Sequence, residues 1–225
     1  MPAAQGLDVL ETVAAAKPRR SLSPVARRLR QQALDLAAAE GLGQGAFCFH
    51  ILPLDGVDGE VLCVAGERLA AAKLLPASGT LTALACGVGT LGTGLEQRAA
   101  ELFGLGRRSL ALALDSLGNE LLFAVSQRMR HRMAAEAGRQ GLSMAGELRA
   151  GDPGLALEAQ GAVLRLADSR RIGVHLTDGA MMHPVKSTSV IFGVGLSLAE
   201  VDWSRCDNCK SAAKCGFVAE PALGA

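Results

Sequence analysis

The chain has 225 residues, of which 49% are hydrophobic and only 3% aromatic, with no tyrosine. That length suits one large domain or two small ones around a core of Leu, Ala and Val. A formal net charge of +1 gives no bulk attraction to nucleic acid or to an anionic membrane, and no segment approaches the roughly 18 uninterrupted apolar residues of a membrane span.

Residues 1–20 read as a flexible leader, with acids ahead of bases and no signal-peptide order. The expected compartment is the cytoplasm. There the six cysteines stay reduced and act as core residues, metal ligands or redox groups rather than as a disulfide frame. Two basic clusters, Lys17–Arg20 and Arg128–Arg132, have the character of solvated faces rather than of binding patches.

Ser23-Pro24 is a cap and first turn for a helix running to about Glu40, closed by Gly41 and Gly43. Cys48 to Leu54 and Val61 to Val64 suit short strands around a turn-rich connection. A helix is expected near Glu67–Leu75, stopped by Pro76, then a strand over Leu81–Gly87 and a helix over Leu95–Phe103. Ser109–Asp115 alternates like a strand. Asn119–Gly138 has helical spacing, with Leu122, Val125, Met129 and Met133 on one stripe. A helix over Leu157–Ala167, a strand over Ile172–Leu176 and a last strand over Ser189–Leu196 follow. The pattern is one α+β domain over residues 21–200 with a cysteine-rich tail over 201–225.

Three motifs could carry chemistry. Gly87-Val88-Gly89-Thr90-Leu91-Gly92 is a literal G-x-G-x-x-G, and Asp115 follows at a distance suited to a ribose-binding acid. On that reading the chain is a dinucleotide-binding oxidoreductase whose glycine turn approaches a pyrophosphate. The plainer reading is that glycines let a strand turn sharply into a closely packed helix. The second motif is the loop Met182-His183-Pro184-Val185-Lys186-Ser187-Thr188-Ser189, which combines a stiff proline, one cation and several hydroxyls. As composition alone it is a polar connection. The third is Cys206, Cys209 and Cys215, a Cys-x2-Cys-x5-Cys tail able to hold zinc or an iron–sulfur cluster. These are three ligands of the usual four, and Cys48, Cys63, Cys86, His183 or an exogenous group could complete the set. A protein using the tail alone would be a non-catalytic metal-bearing adaptor. Among the other histidines, His50 sits on an apolar strand, His131 lies among arginines, and His175 alternates with Val174 and Leu176.

The Met182–Ser189 loop resembles a Met-x-Pro-x-x-Ser-x-Ser segment of the activation domain of cobalamin-dependent methionine synthase. It is closer to the Met-x-Pro-x-Lys-Ser-x-Ser of that domain's stand-alone bacterial relatives. Upstream, Arg149 to Gln160 resembles their Ser-Pro-Gly-x-x-Gly-Trp-Pro-Leu-x-x-Gln stretch, and Val88–Leu95 resembles a Thr-hydrophobic-Gly turn before a helix. The likeness covers about residues 45–217. It implies an α+β fold in which a twisted, antiparallel-rich sheet is flanked by helices. It also implies work on cobalamin, carried by a corrinoid-binding methyltransferase partner, in methyl transfer or reductive reactivation.

On that resemblance Met182, Pro184, Lys186, Ser187 and Ser189 face the corrinoid or its protein, and Gly151, Asp152 and Gly154 shape the opposite side of a cleft. Cys206, Cys209 and Cys215 hold a metal centre. In the activation domain an Arg-x-x-x-Gly-Tyr segment holds S-adenosylmethionine. Here Gly151 matches the glycine, but Glu147 and Asp152 stand where the arginine and tyrosine would be, and Arg149 is out of register. Weak or absent S-adenosylmethionine binding is therefore expected, since acids repel a carboxylate. Self-association is left open.

Overall fold

The computed structural model describes residues 4–16, 22–203 and 207, so Cys206, Cys209 and Cys215 lie outside the described residues. In chain order the elements are β1 (Gln5–Asp8), α1 (Leu10–Ala15), α2 (Pro24–Glu40), β2 (Gln44–Pro53), β3 (Gly56–Asp58), β4 (Val61–Val64) and β5 (Glu67–Ala70). They continue with β6 (Thr80–Thr90), α3 (Gly94–Gly104), α4 (Arg108–Arg139), β7 (Ser143–Leu148), α5 (Gln160–Leu166), β8 (His175–Leu176), β9 (Met182–His183) and β10 (Ser187–Leu196).

Five strands form a sheet in the order β1-β2-β6-β10-β7, whose outer pairs, β1–β2 and β7–β10, are antiparallel. A three-stranded antiparallel sheet, β3-β4-β5, and a two-stranded one, β8-β9, stand apart from it. The described residues fall into two compact units. The first takes in residues up to Cys48, Val88–Met129 and Ser169–Thr188; the second takes in Phe49–Gly87, Arg130–Asp168 and residues from Ser189.

In the first unit, α2 forms where the sequence predicts. The Ser23 hydroxyl accepts the Ala26 N–H at 3.2 Å, Pro24 supplies the preset first turn, and Gly41 ends the helix at φ +66°. Arg30 then reaches from α2 to Glu120 on α4 at 2.7 Å and also donates to the Val13 carbonyl. The leader expected over residues 1–20 contributes structure. Its residues Gln5–Asp8 pair with Gln44–Phe47 of β2, and Asp8 accepts the Leu10 N–H as α1 begins. Sheet pairing is a tertiary contact, which four residues without an apolar run do not announce.

The largest correction is α4. Ser109–Asp115, expected as a strand, is the first part of one 32-residue helix. Its apolar residues satisfy both periods for a few positions, and the continuation decides. Leu110, Leu114, Leu117, Leu121, Val125, Met129, Met133 and Ala137 are all buried, whereas Leu112 is 59% exposed. The stripe passes through Leu121 rather than Leu122. By length and composition α4 could cross a membrane, and this continuous buried stripe packs into the protein itself.

The second unit holds the other corrections. Glu67–Ala70 is strand β5, not helix, because Ala65 and Gly66, both at positive φ, make a two-residue hairpin turn from β4. Only a short 3₁₀ turn, Ala72–Leu74, precedes Pro76. Strand β7 carries Gly146 at φ +68° and shifts register against β10 between Ile191 and Gly193, a bulge that hides its alternation. Strand β10 is buried from Ser187 to Gly195, so it too shows no alternation.

The helical register of α4 predicts unequal costs on one short run. Leu110→Ala and Leu114→Ala should each lower unfolding free energy by about 2–5 kcal/mol, and Leu112→Ala by less than about 0.5 kcal/mol. Urea unfolding would show this, and three equal losses would restore the strand.

Candidate functional site

The loop with the sharpest motif lies in the first unit. Strands β8 and β9 pair through His175↔His183 and Leu176↔Met182. Their connection is closed by the Thr177 N–H donating to the Met181 carbonyl and the Ala180 N–H donating to the Thr177 carbonyl. The His183–Pro184 peptide is cis. From there the chain turns into β10, and its polar groups point inward. Lys186 is 7% exposed. Its ammonium donates to Asn119 Oδ1 at 2.8 Å and pairs with Asp115 Oδ1 at 2.8 Å. A Cβ on Gly118 would stand 3.2 Å from Lys186 Cε and 2.8 Å from Leu95 Cδ2, so the lysine stem runs where α4 has no side chain.

The main chain of this segment is held as firmly. The Val185 N–H donates to Glu96 Oε2 at 2.8 Å, and the Leu91 N–H donates to the Lys186 carbonyl at 3.0 Å. The Ser187 hydroxyl donates to the Pro184 carbonyl at 2.6 Å and meets Thr90 Oγ1 at 2.8 Å. Thr90 Oγ1 in turn accepts the Gly92 N–H. Lys186 and Ser187, expected to face a ligand, are thus the anchors of the loop. Its exposed large apolar side chains are Met181 and Val185, exposed by 62% and 58%, beside the exposed Thr177, Asp178 and Ala180; the sequence does not single these two out.

The glycine motif does not form a phosphate loop. Gly87 and Gly89 lie inside β6, and Asp115 lies on α4 beside Lys186. Gly89 serves close packing: a Cβ there would stand 3.0 Å from Val125 Cγ1, and one on Gly45 would stand 2.6 Å from Val125 Cγ2. Gly92, at φ +69°, turns the chain toward α3. This is the plainer of the two readings: with Gly87 and Gly89 inside β6 and only residues 91–93 joining it to α3, the dinucleotide reading loses its geometry.

In the second unit the bulge at Gly146 leads into a tight turn. The Arg149 N–H donates to Asp152 Oδ2 at 3.0 Å, the Asp152 N–H to the Arg149 carbonyl, and the Gly151 N–H to the Leu155 carbonyl. Gly151 and Gly154 take φ of +93° and +104°, which only glycine adopts readily. Gly154 lies against the stem of Lys73, whose ammonium stands 5.0 Å from the centre of the Trp203 ring. The Arg149 guanidinium pairs with Glu147 at 3.0 Å. Ser189, the last residue of the loop motif, accepts from Gln160 Nε2 at 2.8 Å with both side chains buried.

Other candidates are dispersed. Cys48 and Cys86 are buried and Cys63 is half-buried, and burial pushes the Cys86 thiol far above its ordinary range. His50 Nδ1 lies 3.1 Å from the Leu166 carbonyl, a satisfied strand histidine. Among the described residues no group of three or more His, Cys, Asp or Glu could hold a metal. Asp115 and Asn119 as partners of Lys186 were missed. The available signal was their spacing of four, which shares a face only if Ser109–Asp115 is helical.

No protein-family model matches the sequence, and no curated protein matches it. Among solved structures the chain is similar to the crystal structure of the MetH reactivation domain bound to AdoHcy. The TM-score is 0.63 at 14% identity, over 88% of this chain and 80% of that one. At that identity the likeness is one of fold, and the α+β architecture with an antiparallel sheet flanked by helices is the one expected from the resemblance.

The buried cation makes a directional prediction. Asp115→Ala leaves Lys186 buried beside Asn119 alone and should cost more stability, about 2–4 kcal/mol. Lys186→Met removes the charge and leaves a half-exposed carboxylate to water, costing about 1–2 kcal/mol. Chemical unfolding of both variants checks the order, and the reverse order would mean that the ammonium reaches solvent.

Proposed function

We propose that this chain serves a corrinoid methyl carrier, in methyl transfer or in the reductive reactivation of a B12-dependent methyltransferase, within the reducing cytoplasm. The observation that carries the reading is the fold shared over 88% of the chain with the MetH reactivation domain. The Met182–Ser189 motif supports it by leading directly into the buried strand β10.

The chain's own residues would do the work of presentation. Lys186, Ser187 and Glu96 hold the Pro184–Val185 backbone in place, and exposed Met181 and Val185 offer a small apolar lip to a corrin edge or its protein. A loop held by buried polar bonds loses little entropy on docking. Pro184, Lys186 and Ser187 would thus act from behind the contact, with Met182 beside the lip. Ser189, Gly151, Asp152 and Gly154 belong to the second unit and would shape its own surface.

S-adenosylmethionine does not fit the Arg149 turn as built. Glu147 occupies the guanidinium, and the Asp152 carboxylate adds a second negative charge beside it. Calorimetry of the full chain should show measurable binding of cobinamide, a corrinoid without its nucleotide tail, and weak or no binding of S-adenosylmethionine. Val185→Asp should abolish the cobinamide heat while leaving the thermal melt in place. Failure of cobinamide and of intact cobalamin to bind would remove the reading. Micromolar S-adenosylmethionine affinity would show that another cation grips the carboxylate.

The tail completes the proposal. Three thiolates at Cys206, Cys209 and Cys215 suit an iron–sulfur cluster or zinc, and a cluster would supply electrons where zinc would supply only a staple. Anaerobic protein should contain iron and sulfide that disappear in Cys209→Ser. Zinc in their place would reduce the tail to scaffolding, and no metal would leave the loop as the whole of the site.

A further inference from the structure

His175 and His183 face each other directly across the β8–β9 ladder. Residues opposite one another in an antiparallel pair project from the same face. Their ring centroids are 5.2 Å apart and the planes are inclined by 55°. His175 is exposed and His183 half-buried. Among the described residues neither ring makes a hydrogen bond, in contrast to His50, whose nitrogen meets the Leu166 carbonyl.

We propose that His175 and His183 form a two-imidazole site for a late first-row divalent metal ion of the zinc, nickel or copper class, independent of the tail cysteines. Bonds of about 2.0–2.1 Å to one tetrahedral ion place two imidazole centres about 5 Å apart, the separation found here. Imidazole suits these metals better than magnesium or calcium, which demand oxygen. The rings are tilted rather than stacked face to face.

The backbone prepares the pair. Their strands are joined by a turn that the Thr177 and Ala180 amides close, and the Thr177 hydroxyl adds a third bond to the Met181 carbonyl at 3.3 Å. A ladder with a closed turn keeps the two rings together without metal, which raises affinity by lowering the ordering cost. Two protein ligands leave at least two coordination positions for water, a small anion or a side chain of a partner. His183 is followed by Pro184 and the anchored Val185–Ser187 segment, so an ion bridging β8 and β9 would pin the approach to that loop.

The test uses the full chain with Cys206, Cys209 and Cys215 replaced by serine, so that tail thiols take no metal. Zinc titrated by calorimetry should bind at one equivalent with about micromolar affinity, and the imidazole resonances of both histidines should shift together in nuclear magnetic resonance spectra. His175→Ala and His183→Ala should each weaken binding by about tenfold or more, because the second ligand no longer benefits from the first. The double variant should be little worse than either single one. Unchanged affinity in one single variant would overturn the proposal. So would imidazole signals that stay still at one equivalent, with heat only at millimolar zinc, which would make the histidines a ring contact and nothing more. Neither outcome depends on whether the chain binds a corrinoid.

Discussion

Burying an ammonium is the constraint on which the first unit turns. Lys186 is almost wholly removed from water and is tolerated only because Asp115 and Asn119 meet it at 2.8 Å. Those partners lie four residues apart and share a face only on a helix. An unbroken α4 and the entry to β10 therefore require each other. Gly118 completes the arrangement by leaving a channel for the lysine stem between helix and loop. The same segment is fixed again by Glu96, Thr90 and the Leu91 amide, so a short stretch of main chain is determined by four separate anchors.

Close approach is the second theme, and glycine is how the chain achieves it. Gly45 lets Val125 of α4 come closer than a side chain there would allow, and Gly89 keeps a second tight approach to Val125 open. In the second unit Gly146 bulges β7, while Gly151 and Gly154 close the turn that follows. Gly89 and Gly92 stand where a neighbour or the backbone geometry favours glycine, which accounts for two glycines of the G-x-G-x-x-G pattern without a phosphate to bind.

The parts of the fold that were legible in the sequence are those governed by local chemistry. The Ser23 cap, Pro24 and Gly41 mark the ends of α2, and β4 falls on Val61–Val64 as expected. Where tertiary context decides, local pattern fails. Leu110, Leu112 and Leu114 alternate as a strand would until the stripe through Leu117 and Leu121 is followed. Glu67–Ala70 has helical composition but is folded back by a two-residue turn. The candidate loop runs from β9 into β10, and the inward direction of Lys186 and Ser187 could not be read from residue type. A lysine in a hydroxyl-rich loop suggests a ligand, and only its partners on α4 show that the protein itself has taken the charge.

In the proposed function Met181 and Val185, not the buried lysine, meet the corrinoid. Hydrogen–deuterium exchange of the full chain with and without saturating cobinamide examines that contact without any mutation. The account predicts slower exchange confined largely to amides over residues 180–186. Protection that appears only elsewhere, or no protection at saturation, would contradict it.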